Sequence, residues 1–129
     1  MDLKSGGNSF AFQMGLEIEE MKHGQSKGIL RVNENHQNTV GLVHGGVLCT
    51  MADTLCGAAV LSGIAKNRHP LTMDLNISFL KAAKGKVITG EAATIHLGNR
   101  TAKVECSLKS EDVLIARAYA TFIIVDKGR

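Results

Sequence analysis

Residues 38–65, NTVGLVHGGVLCTMADTLCGAAVLSGIA, hold the only long helical pattern in the chain and constrain what the rest can be. Val47, Leu48, Met51, Leu55, Ala58, Ala59 and Ser62 fall at helical spacing and make one mostly apolar face. Gly46, Thr50, Asp53, Gly57 and Val60 make a second face of small residues with one acid among them. Gly63 and the polar run KNRHP stop the helix, with Pro70 just beyond. A helix of about 20 residues is roughly 30 Å long, enough to cross a small sheet.

The remaining segments read as strands that could supply that sheet. Phe10 to Met14 makes a short helical turn. LEIEEMK, with Leu16, Ile18 and Met21 apolar, is a first strand with a late irregularity, and SKGILRVN is a second. Gly24 lies between them, and the two pair as a hairpin. Leu71 to Leu80 alternates loosely. Val87–Leu97, Thr101–Lys109 and Val113–Val125 are three long strands joined by the turn sequences LGNR and KSED. In the last, Leu114, Ala116, Ala118, Ala120, Phe122 and Ile124 repeat with period two and mark one buried face. The expected architecture is α+β: two strands, one long helix, then four strands in a meander, an antiparallel sheet wrapped on one central helix.

Composition bounds the function. At 129 residues the chain is one domain, 1–129, able to bury a core unaided. A net charge of +3, spread along the sequence, is too mild for nucleic acid but suits an anionic small ligand. With no tryptophan and one tyrosine, a base-stacking surface is poorly supplied. Cys49, Cys56 and Cys106 form no CxxC pair and no Cys/His cluster, which suggests reduced thiols in a cytoplasmic protein. The polar lead-in Met1 to Ser9 has no apolar signal core, and no apolar run approaches a membrane span.

The chemistry gathers on the central stretch. A glycine-rich turn at a helix start leaves N–H groups unpaired, and the helix dipole adds positive potential there. Gly45 and Gly46 let a ligand oxygen approach the backbone, so the turn can hold an anion or an acyl-transfer oxyanion. A plain turn and N-cap is the alternative. Asp53, a carboxylate inside the apolar run MADTL, is expensive to bury unless hydrogen-bonded or wet. Its small helical neighbours leave room for a ligand or another chain, as a general base or nucleophile requires; an exposed helix acid is the alternative. Asn38 and His44 flank the turn, and either could hydrogen-bond a carbonyl or a water. His23, His36, His69 and His96 read as surface or packing residues, and no pair has metal-ligand spacing. Cys49 and Cys56 read as small packers on the helix.

Asn38-x-x-Gly41-x-x-His44-Gly45-Gly46, followed by Asp53 in LCTMADT, resembles the hotdog-fold thioesterases of the phenylacetate-pathway type, within the wider 4-hydroxybenzoyl-CoA thioesterase superfamily. The likeness runs through LTMDLNISFLKAAKGKV and GNRTAKVE. It implies a hotdog fold, acyl-CoA as substrate, no cofactor, and homodimers with shared active sites that pair into homotetramers. It also implies that the Gly45 amide binds the thioester carbonyl, with Gly46 beside it. Asp53 would activate water or attack directly, Asn38 would orient water or substrate, and His44 would orient the turn or bond near the thioester. Thr72 would assist Asp53. Lys81, Lys84, Arg100 and Lys103 are candidates for the CoA phosphates by charge alone. A non-catalytic acyl-CoA binding or sensing module is the alternative function.

Overall fold

The computed structural model describes residues 9–127. The polar lead-in lies, Ser9 apart, outside them. Helix α1 (Phe10–Met14) is ended by Gly15 at φ 110°, a left-handed position that glycine takes without a Cβ penalty. Strands β1 (Glu17–Lys22) and β2 (Gln25–Arg31) form the expected hairpin, with its irregularity at Ile18/Glu20. A 3₁₀ turn, Glu34–His36, leads into α2 (Gly45–Leu61), and β3 (Arg68–Phe79), β4 (Val87–Leu97), β5 (Thr101–Ser110) and β6 (Val113–Asp126) complete the chain.

The six strands make one antiparallel sheet in the order β1-β2-β4-β5-β6-β3, wrapped on α2. This is the α+β hotdog architecture, with one correction to the reading above. Only β4, β5 and β6 form a meander; β3 pairs with β6, not β4. β4 takes the place beside β2, with Gly28 opposite Gly90. The chain leaves β2, runs through α2, and lays β3 along the far edge. An edge position also explains why Pro70 lies inside a strand, since proline cannot donate to a second neighbour.

Packing of α2 follows its apolar face: Leu48, Met51, Leu55, Ala58 and Ala59 are buried. In β6, Ala116, Ala118, Ala120, Phe122 and Ile124 are buried as their alternation predicts. Leu114 is the exception, because a register shift at Leu108/Lys109 gives the buried place to Ile115. Leu55 is held most closely. A Cβ at Gly28 would lie 2.8 Å from Leu55 Cδ2, and one at Gly90 would lie 2.5 Å from Leu55 Cδ1. The buried Ser26 hydroxyl donates to the Leu55 carbonyl at 2.6 Å. At the helix end, Ser62 Oγ donates to Ala59 O at 2.8 Å and accepts the Gly24 N–H at 2.9 Å.

A methyl at Gly90 has no space to occupy without moving Leu55 or Leu108. Gly90→Ala should therefore destabilise the fold by about 1–3 kcal/mol, read from the denaturation midpoint at unchanged slope.

Candidate active site

The turn before α2 is built by its own polar side chains. Asn38 Oδ1 accepts the Val40 and Leu42 N–H groups at 3.0 and 3.1 Å, and Gly41 takes φ +82° to close the turn. His36 anchors the whole segment. Its Nδ1 accepts the Asn33 N–H at 3.0 Å, its Nε2 lies 2.5 Å from Met14 O, and its carbonyl accepts the His44 N–H at 2.8 Å. The buried His36 ring thereby ties the loop to the end of α1. The sequence reading took His36 for a surface or packing residue. The signal that could have found it is the Asn33-x-x-His36 capping-box spacing, which the structure uses.

His44 is the N-cap of α2, its Nδ1 accepting the Gly46 N–H at 2.8 Å. That bond assigns the Nδ1-acceptor tautomer and leaves Nε2–H facing outward. A Cβ at Gly46 would lie 3.0 Å from His44 Nδ1, so glycine is what lets the ring lie over the helix end. The Gly45 N–H has no acceptor among the described residues, which suits an oxyanion donor. A Cβ at Gly45 would lie 3.4 Å from the Phe79 ring, an apolar neighbour that no sequence pattern predicts.

Asp53 lies two turns along α2, half-buried in a cleft between the helix and β3. Thr72 Oγ1 donates to Asp53 Oδ1 at 2.7 Å. No further hydrogen-bond partner of the Asp53 carboxylate is found among the described residues, and Asp53 lines the cleft. Thr50 is occupied locally, donating to Gly46 O at 2.8 Å. Asp53 and Gly45 are eight residues apart on one helix, about 12 Å. A single chain therefore sets its acid beside Thr72 and its free amide beside Phe79, too far apart to act on one carbonyl.

The basic candidates separate. Arg100 lies in the β4–β5 turn, where its carbonyl accepts the Ile124 N–H. Lys84 lies beside Gly85, whose N–H donates to Ser110 Oγ at 3.1 Å, at the opposite end of β4. The 11 residues of β4 put roughly 36 Å between those ends, so one ligand cannot use both within a chain. Lys103 is on the outer face of the sheet, its Nζ donating to Thr121 Oγ1 at 2.7 Å. Among the described residues, no three of His, Cys, Asp and Glu gather into a set that could hold a metal ion.

A family profile described as the thioesterase superfamily matches residues 40–116. A protein of Archaeoglobus fulgidus bearing a provisional esterase name is 33% identical over 112 residues, covering 85% of this chain and 71% of that protein. The medium/long-chain acyl-CoA thioesterase YigI of Salmonella typhimurium is 27% identical, over 95% of this chain and 93% of its own. Among solved structures, a thioesterase of Haemophilus influenzae superposes with TM-score 0.92 at 20% identity, over 98% and 90% of the two chains, a likeness of fold. A thioesterase protein of Streptococcus pneumoniae, solved with coenzyme A, superposes with TM-score 0.79 at 26% identity, over 86% of each chain.

Cys49 lines the same cleft one turn before Asp53, and burial, with the Asp53 carboxylate adding to it, pushes its thiol above the usual range. Asp53→Asn removes the charge but not the burial. Alkylation of Cys49 by iodoacetamide at pH 8 should be slow in the native protein and faster in Asp53→Asn, followed by mass spectrometry of the Cys49 peptide.

Proposed function

The chain belongs to the thioesterase superfamily, and from that premise we propose that it hydrolyses acyl-CoA thioesters at a site shared by two copies of the chain. The observation that carries the reading is the Asp53 carboxylate, held on one oxygen by Thr72 in the wall of the cleft. A relative named as an acyl-CoA thioesterase, another named as a 1,4-dihydroxy-2-naphthoyl-CoA hydrolase and a similar structure solved with coenzyme A support coenzyme A as the carrier.

The edge strand supports a second copy. β3 is 12 residues long, bonded on one side only, and carries Leu71, Met73 and Phe79 at 50%, 59% and 54% exposure. A long apolar edge of this kind is a template for another strand. Asp53 marks the Thr72 end of β3 and Gly45 marks the Phe79 end. Two β3 strands pairing antiparallel about a two-fold axis near Leu75 and Asn76 would set Gly45 of the partner subunit against Asp53. The pair that lies about 12 Å apart within one chain would then meet across the interface.

In this scheme the thioester carbonyl oxygen accepts the Gly45 N–H at the helix start, where the dipole favours developing negative charge. Asp53 takes a proton from a water molecule as the water oxygen bonds to the acyl carbon. The tetrahedral oxyanion collapses, the C–S bond breaks, and the proton passes to the departing thiolate, giving free acid and thiol. Thr72 fixes the carboxylate, and His44 fixes the turn that presents the amide. Asn38 holds that turn through Oδ1 and retains its amide N–H groups for water or substrate. The reaction as drawn calls on no cofactor. Pairing of dimers into tetramers and a cytoplasmic setting are further parts of the proposal; no helix among the described residues is long and apolar enough to cross a membrane.

Asp53→Asn should lower kcat about 10²–10⁴-fold while acyl-CoA still raises the melting temperature. Thr72→Val should lower it about tenfold, the scale of one lost charge-assisted hydrogen bond. Turnover in ¹⁸O-water should label the free acid and leave Asp53 unlabelled; label in Asp53 would instead mean direct attack. Near-native turnover by Asp53→Asn, or an active monomer by light scattering, would sink the scheme. Stabilisation by acyl-CoA without turnover of any ester would favour the binding-module reading.

A further inference from the structure

Asp53 stands on a divide. Two cavities meet there, and Asp53, Thr54 and Thr72 belong to the walls of both. Toward α1 lies a space of about 590 Å³ bounded by Phe10, Phe12 and Leu75, in which Asp53 and Cys49 are the only ionisable side chains among the described residues. Toward the far end of α2 lies a second space of about 360 Å³, which runs past Gly57 and Phe122 to His69 and Lys127. His69 and Leu71 also line a third space, bounded by the start of β3, the end of β6 and the β4–β5 turn, whose walls include Arg68 and Arg100. The one acid among these basic groups, Asp126, is paired with Arg68 at 3.1 Å. Among the described residues, the basic side chains therefore collect on one side of Asp53.

Resting on the thioesterase reading above, we infer that the two halves of the substrate leave Asp53 in opposite directions. The acyl group enters the α1 cavity against Phe12, and the anionic carrier runs along α2 past Gly57 toward Lys127, His69 and Arg100. Two physical arguments converge on this polarity. An acyl chain gains by leaving water for an apolar wall, whereas phosphates are expensive to bury without cations. The strand pairing about Leu75 closes a second chain over the α1 side, because Leu75 lines that cavity. The His69 end, beyond Thr72, points away from that axis. Phe10, 75% exposed, and Phe12 are then the residues that measure the acyl group. Gly57 is the floor of the carrier passage. A Cβ there would lie 3.6 Å from the Phe122 ring, an ordinary contact, so a methyl narrows the passage without disturbing the packing beneath.

The test uses the full chain and a matched set of acyl-CoA and acyl-pantetheine thioesters, the second lacking the nucleotide phosphates. The KM ratio of pantetheine to CoA ester should fall about 5- to 10-fold in the double variant Lys127→Gln/Arg100→Gln, the scale of exposed charge pairs. Phe12→Ala should shift the preferred acyl length upward. Phe10→Ala, at an exposed position, repeats that measurement without touching the core. Gly57→Ala should raise KM for CoA esters and leave the preferred acyl length where it was. A length shift from Gly57→Ala with none from Phe10 or Phe12, or a KM ratio unmoved in the double variant, would overturn the polarity while the hydrolase reading stands. No turnover of any thioester by the unmodified protein would overturn the hydrolase reading, and this inference with it.

Discussion

The seat of Leu55 on two glycines is the contact on which the rest depends. Gly28 and Gly90 face each other across β2 and β4, and neither leaves room for a methyl group beneath that side chain. The missing side chains let the helix sink toward the sheet, and the Ser26 hydroxyl fixes its depth by bonding the Leu55 carbonyl. Close-packed interiors do not deform gradually, so the depth of one residue sets the position of the whole helix. Asp53 is two residues before Leu55. Its height above the sheet, and hence its reach to Thr72 on β3, follows from how Leu55 is seated.

The helix start is positioned by different means. There the chain uses hydrogen bonds among loop side chains rather than packing: Asn38 curls the turn, His36 ties it to α1, and His44 caps the helix. These bonds satisfy the loop's own polar groups and leave the Gly45 amide over. That division suits a site in which the acid must be held rigidly while the amide must be presented outward. His44 and Asn38 are each already committed, on one atom, to shaping the turn.

Edge placement of β3 links the fold to the chemistry. The crossover that carries β3 past the helix leaves it bonded on one side, exposing an apolar strand that bears Thr72 near one end and Phe79 at the other. The same strand therefore supports the acid, walls the amide, separates the two cavities at Asp53 and, in the proposed scheme, offers the surface for a second copy. A change in strand order that buried β3 between two neighbours would remove all four properties together.

The sequence by itself determined the helix and the strands, and it marked the candidate residues of the site. Helical and alternating periodicities report burial directly, and HGG with Asp53 is a local pattern within one helix and the turn that starts it. It could not place β3, because hydrophobic alternation in a strand says which face is buried but not which neighbour it bonds. Nor could it see that Gly28 and Gly90 meet over Leu55, since that needs the register of strands about 60 residues apart. The basic candidates show the same limit: Arg100, Lys84 and Lys103 look alike in sequence, yet the fold sends them to one end of the sheet, the other end and the outer face. Charge is a property of a residue. Convergence on a ligand is a property of the tertiary structure, because only long-range pairing decides which side chains share a cavity.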